Sequence, residues 1–314
     1  MNSLLGGIFL GWSLGANDAA NVFGTAVSSR MVKFWAAAIL AATFVLAGAL
    51  LEGQSGIETL QNLTSFTYDQ AIVASVAAAV TVTLMTLLGL PVSTSQAVVG
   101  AILGVGLLNR QLNFAGLGKV VVCWLGTPVG GIVLAIIVYK LLAAIANSMN
   151  LNIFQSDILL RLCLILAGSY GAYALGANNV ANVTAVFVGA GMLSLSAAVL
   201  IGGLSIALGV LTFSRGVMET VGKKVVRLDP FSALVVVLAE AITVHIYALI
   251  GVPVSTSQAV IGAVLGVGII KGAKTIQRRT LVHIFLAWFI TPFIACFFAL
   301  CLDFAIHLRY IPGH

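Results

Sequence analysis

The chain has 314 residues, 61% of them hydrophobic and only 8% charged. An ordinary soluble domain carries about 25% charged residues, so 15 basic and 9 acidic side chains cannot clothe a soluble protein of this length. This composition excludes a soluble enzyme, a nucleic-acid-binding protein and a disordered chain, and with a mean hydropathy of +1.14 it predicts an all-α polytopic membrane protein. The formal net charge of +6 fits the excess of Lys and Arg in cytoplasmic loops of membrane proteins.

Ten apolar segments are predicted in chain order, at 3–27, 33–51, 70–90, 93–108, 118–146, 158–188, 192–213, 231–250, 255–270 and 281–308. The N-terminal stretch lacks a basic start and runs directly into Gly15-Ala16-Asn17-Asp18, so it reads as the first membrane segment and not as a cleaved signal. Cys123, Cys163, Cys296 and Cys301 lie in apolar stretches with no CxxC spacing, which makes them packing residues.

The chain repeats itself. Pro91 to Gly106 reads PVSTSQAVVGAILGVG and Pro253 to Gly268 reads PVSTSQAVIGAVLGVG, with two differences in 16 positions. Leu14 to Val22 (LGANDAANV) pairs with Leu175 to Val183 (LGANNVANV), and Trp124 to Pro128 with Trp288 to Pro292. The offsets are 161, 162 and 164 residues, so residues 1–150 and 151–314 are read as two tandem repeats. Basic residues set the orientation. The loops at 28–34, 214–230 and 271–280 gather ten Lys and Arg on one side, against Arg110, Lys119 and Arg309 on the other. The first side is expected to be cytoplasmic, with both termini extracytoplasmic. Corresponding loops then fall on opposite faces, which predicts inverted-topology repeats, the arrangement of many secondary transporters.

Two constellations carry the chemistry. The segment 93–108 spans only about 24 Å at 1.5 Å per residue, too short for a ~30 Å hydrocarbon core. It is therefore predicted to form a re-entrant hairpin with its predecessor, tipped by Pro91 to Ser95. Ser93 is the expected N-cap, with Gln96 completing a capping box. First-turn amides and the hydroxyls of Thr94 and Ser95 would then face a cavity and favour an anion. Ser255, Thr256, Ser257 and Gln258 repeat this from the opposite side, so the two tips form a cradle for a tetrahedral oxyanion. The second constellation is Gly15 to Asp18 with Asn21. Gly and Asn are expected to break the helix and expose carbonyls beside a cavity. A charge that deep in an apolar segment costs roughly 2.5–3.5 kcal/mol, so Asp18 reads as functional. A carboxylate with amide and carbonyl oxygens suits a hard cation, Na⁺, or H⁺ if Asp18 titrates. Asn178, Asn179 and Asn182 supply the matching half, and Glu240 is a second deep acid. Na⁺ is read at Asp18, Asn17 and Asn178, with Asn179 and Glu240 as further cation ligands, and Asn21 and Asn182 as helpers at the anion. Glu52 and Gln54 read as interfacial and His245 as a packed or hydrogen-bonded residue, with a proton relay as the alternative. Gly48, Gly100, Gly104, Gly202 and Gly209 read as close-packing positions.

The repeated GANDAAN and GANNVAN, with the paired PVSTSQ tips, resemble the duplicated signature of the inorganic phosphate transporter (PiT) family. The resemblance covers the whole chain. It implies import of inorganic phosphate coupled to Na⁺ or H⁺ by alternating access, with broken helices and re-entrant hairpins around a midplane site. It further implies a homodimer, no cofactor and, given the short loop at 214–230, a prokaryotic member in the inner (plasma) membrane. Asn179 departs from the pattern, standing where the second signature Asp is expected. Two rival readings are a transporter of a related oxyanion such as sulfate and an intramembrane hydrolase. The second lacks any HExxH or GxGD motif.

Overall fold

The computed structural model describes residues 2–87, 92–224, 228–272 and 278–309. Eleven α-helices lie among them: α1 (Leu5–Ser28), α2 (Phe34–Glu52), α3 (Gln54–Gln61), α4 (Tyr68–Leu87), α5 (Thr94–Asn109), α6 (Phe114–Ser148), α7 (Ile153–Gly189), α8 (Leu195–Lys224), α9 (Pro230–Ile250), α10 (Thr256–Lys271) and α11 (Arg278–Arg309). Seven, namely α2, α4, α6, α7, α8, α9 and α11, are long and apolar enough to cross a membrane. Ten of the eleven match the predicted segments. The eleventh, α3, falls in what the sequence suggests is a loop at 52–69; Gly56, Ile57 and Leu60 bury its apolar face. The loop expected at 214–230 is helical as far as Lys224. Pro91, Arg227 and Lys274 lie outside the described residues.

Both short helices fold back on their predecessors as hairpins. At the base of the first, Thr67 caps α4 by accepting from the Gln70 amide, and the Gln70 side chain exchanges hydrogen bonds with Asn109 at 2.7 and 3.1 Å. At the base of the second, Asp229 caps α9 by accepting from the Ser232 amide at 3.0 Å, and Lys271 at the end of α10 pairs with the same carboxylate. Burial alone would raise the Asp229 carboxyl, but Lys271 and the two Ser232 hydrogen bonds outweigh it and hold it at about 2. Each hairpin base is thus stapled, once by neutral amides and once by an ion pair.

The packing exchanges the two halves. α1 lies against α8 and α2 against α7, while α5 lies against α11 and α10 against α6. Glycines make these approaches possible. A Cβ at Gly15 would overlap the Ile206 carbonyl and one at Gly209 the Trp12 carbonyl; Gly176 meets Val45 and Gly48 meets Tyr173 in the same way. Gly100 and Gly262, at matching places in α5 and α10, face the carbonyls of Pro292 and Pro128. Small residues at helix crossings are the usual device for close contact in a membrane, where apolar side chains gain nothing by leaving lipid.

This packing overturns one expectation. The segments Gly15–Asn21 and Gly176–Asn182 do not break; α1 and α7 run through them as continuous helix. Their glycines serve helix contact and not helix rupture. The asparagines hydrogen-bond to other side chains and to the facing hairpins.

Candidate functional site

The two hairpin tips meet the middles of α1 and α7. Ser93 and Ser255 have extended backbones and accept from the amides of Gln96 and Gln258, each at 3.3 Å, as N-caps must. The tips also hold each other. Ser95 donates to the Val254 carbonyl at 3.0 Å, and Ser257 donates to the Val92 carbonyl at 3.4 Å. These two bonds relate matching residues of the two repeats.

From α7, Asn178 grips the second tip twice: it accepts from the Val254 amide and donates to the Val254 carbonyl, both at 2.8 Å. Asn182 donates to Ser95 at 2.9 Å and to Asn179 Oδ1 at 2.8 Å. From α1, the Asn17 amide lies 3.3 Å from Asp18 Oδ1. Thr256 donates to Asp18 Oδ2 at 3.1 Å and accepts from Asn21 at 3.3 Å. One hydrogen-bonded cluster therefore joins Asn17, Asp18, Asn21 and Thr256, and another joins Ser95, Asn178, Asn179 and Asn182 through Val254.

Asp18 and Glu240 are 4% and 1% exposed. Glu240 lies on α9, which packs against α1, the helix that carries Asp18. No side chain partners Glu240 Oε2. A low-dielectric interior does not hold two neighbouring carboxylates without a counter-charge. Groups of three or more His, Cys, Asp or Glu able to hold a metal are absent among the described residues. Any cation here would lean on amide, hydroxyl and carbonyl oxygens beside these carboxyls, a donor set that suits a hard monovalent ion.

The expected capping boxes close only half-way. Gln96 Oε1 and Gln258 Oε1 are buried without a partner, as are Asn182 Oδ1 and Asn179 Nδ2. The Gln side chains do not turn back to their caps, so their amides remain available to whatever occupies the cradle. A buried polar atom left unsatisfied costs about 1–3 kcal/mol. All four belong to the hairpin tips and to the stretch of α7 that faces them.

Sequence reasoning missed one group. Glu52 is not an isolated interfacial acid: its Oε2 lies 2.7 Å from His245 Nε2, and His245 Nδ1 lies 2.7 Å from the Tyr170 hydroxyl. Residues 52, 170 and 245 share no spacing in the sequence, so nothing there could have joined them.

A family model described as the phosphate transporter family matches residues 14–299 of the chain. The chain belongs to that family. The sulfate permease CysP of Bacillus subtilis is 31% identical, over 93% of this chain and 84% of its own length. A putative phosphate permease of Methanocaldococcus jannaschii is 29% identical, over 91% of each. A solved structure of a sodium-dependent phosphate transporter superposes with a TM-score of 0.85, covering 98% of this chain and all of that one, at 23% identity. That likeness establishes the all-helical transporter fold. Family membership makes this chain a phosphate-family transporter and not an enzyme, which retires the intramembrane hydrolase.

Proposed function

We propose that the chain is a sodium-coupled symporter importing inorganic phosphate by alternating access between two inverted repeats. The observation that carries the substrate reading is the mixture of buried donors and unpaired acceptors where the tips meet. At neutral pH phosphate keeps one or two hydroxyls and must donate as well as accept, whereas sulfate only accepts. Donors come from the first-turn amides and from the hydroxyls of Ser93, Thr94 and Ser255; Ser95, Thr256 and Ser257 already donate to Val254, Asp18 and Val92 and would have to release those acceptors to join them. Gln96 Oε1, Gln258 Oε1 and Asn182 Oδ1 are buried acceptors without partners, and sulfate would leave them unpaired. The 31% identity to a sulfate permease makes this the discriminating point. Sites that hydrogen-bond a substrate's O–H groups reject analogues lacking them. Equilibrium binding of radiolabelled phosphate to purified protein is therefore expected to resist a tenfold excess of sulfate; full displacement at equal concentration would assign the protein to sulfate instead.

Sodium sits, in this reading, at Asp18 with Asn17, Asn179 and Glu240. Asn178 adds only the second lone pair of its Oδ1, since the Val254 amide occupies the first. A cation beside the carboxyls offsets both their charge and that of the anion, which makes binding of the two mutually favourable. Proton coupling is the alternative, with Asp18 or Glu240 titrating.

Access is one-sided. Asn17, Asn21 and Ser257 are half-buried, whereas their counterparts Asn178, Asn182 and Ser95 are buried. From the first group, α1 leads to the loop with Arg30 and Lys33, and α10 leads to Lys271. With that basic side cytoplasmic and both termini outside, the cradle leans open toward the cell interior in the inner (plasma) membrane. The exchanged packing of the two halves is what an inverted pseudo-twofold requires, and closing the α1 side while opening the α7 side would complete the cycle. A homodimer belongs to the same proposal.

A further inference from the structure

The cluster around His245 has no part in the site above. It joins three elements. Glu52 ends α2, Tyr170 and Tyr173 come from α7, and His245 comes from α9, the first arm of the second hairpin. His245 Nε2 lies 2.7 Å from Glu52 Oε2 and its Nδ1 lies 2.7 Å from the Tyr170 hydroxyl. Tyr173 packs edge-on against the imidazole at 5.6 Å, with its hydroxyl against Glu52. The His245 and Glu52 side chains are 18% and 30% exposed, and Glu52 ends its membrane helix. The cluster lies near the substrate site. Tyr173 precedes Asn178 by five residues, about 7.5 Å along the helix axis. His245 precedes the tip residue Val254 by nine.

Hydrogen-bond counting shows what such a triad can do. With neutral imidazole, Nε2–H donates to the Glu52 carboxylate and Nδ1 accepts from Tyr170; the net charge is −1. With one more proton, Nδ1–H donates to the Tyr170 oxygen, Nε2–H still donates to Glu52, and the net charge is zero. The Tyr hydroxyl both donates and accepts, so its bond to Nδ1 can persist in either state by reversing direction. Only His among side chains changes charge near neutral pH when unperturbed.

The other titratable groups of α9 and its neighbours point elsewhere. Glu240 lies five residues away on another face of α9 and interacts with Asp18 of α1. Lys119 of α6 donates to the Ile250 carbonyl at 3.1 Å, and Cys123 of α6 faces Tyr247. Lys271 of α10 is held by Asp229 at the far end of the hairpin. Glu58 of α3 is exposed.

We propose that Glu52, His245 and Tyr170 form a proton-binding site, distinct from the substrate and cation sites, whose occupancy sets how firmly the second hairpin docks on α2 and α7. Loss of the proton leaves an uncompensated negative charge beside the hairpin at membrane depth; its gain gives a neutral clamp across the two halves. The reaction is a simple protonation, with the proton taken from water. The site is defined by contacts of α9 and holds whichever oxyanion or coupling ion is carried.

Histidine ¹⁵N NMR of the whole protein in lipid nanodiscs tests it directly. The chain has four histidines, and His245→Gln identifies the signal of interest by its loss. The His245 ring signals are expected to change with pH as the ring gains or loses a proton. In Glu52→Gln that change should move about one pH unit or more toward acid, a tenfold or greater loss of proton affinity. Uptake against pH should lose the corresponding step in His245→Gln and show it displaced in Tyr170→Phe. Purely structural contacts would lower activity at every pH equally. A His245 ring that keeps one charge state from pH 5 to 8, a midpoint unmoved in Glu52→Gln, or a pH profile retained in His245→Gln would each overturn the proposal.

Discussion

Asp18→Asn is expected to abolish sodium-driven uptake while leaving the protein folded. Asp18 takes hydrogen bonds from Thr256 and Asn17, and only one of its two oxygens survives the substitution. The amide nitrogen that replaces the other repels a cation and meets a donor in Asn17. Losing a charge-assisted contact of roughly 2–3 kcal/mol corresponds to about a 100-fold loss in sodium affinity. Folding should survive because the paired position already tests an amide there: Asn179 is buried in α7, and its Oδ1 accepts from both Asn178 and Asn182. Proteoliposome uptake alongside gel filtration separates the two effects. Wild-type uptake in a monodisperse Asp18→Asn protein would remove Asp18 from the mechanism.

The largest effect on stability is expected at the glycine crossings. Gly176→Val places a Cβ inside the Val45 carbonyl, whose carbon and Cα lie just behind it. A backbone carbonyl cannot rotate aside as a side chain can, so α2 and α7 must separate. Overpacking of this kind costs about 3 kcal/mol or more. Separation would also pull Asn178 away from Val254, so any surviving protein should lose transport. Gly118→Ala is the control. It lies on an exposed face of α6 with no atom within 4 Å of its would-be Cβ, and better helix propensity should leave it equal or slightly more stable, by up to about 1 kcal/mol. Thermal unfolding in detergent followed by fluorescence gives the comparison. Equal melting of Gly176→Val and wild type would mean that α2 and α7 are not in backbone contact.

The membrane segments and both hairpins were legible because hydropathy, segment length and Ser N-caps are local properties. Ser93 and Ser255 cap where the pattern predicts, since a Ser before an apolar helical run has few other roles. The burial of Asp18 was legible from its depth in an apolar segment. The continuity of α1 and α7 was not. A Gly-Ala-Asn run reads as a break in isolation, and only the facing helix reveals that the missing Cβ makes room for a carbonyl. The Gln96 and Gln258 side chains were misplaced for a related reason. A capping box is the best local use of a Gln at that position, but the surroundings supplied by distant helices are a non-local influence that a motif cannot weigh. Glu52 with His245 is the extreme case, a contact across 193 residues of chain between elements of different repeats.

The central claim is that phosphate enters on a sodium gradient. Labelled phosphate uptake into proteoliposomes should rise steeply when sodium is imposed outside at constant pH. It should stay near background under a pH gradient in sodium-free buffer. Uptake driven by the pH gradient alone, with no response to sodium, would contradict the account and move the coupling role of Asp18 and Glu240 to protons.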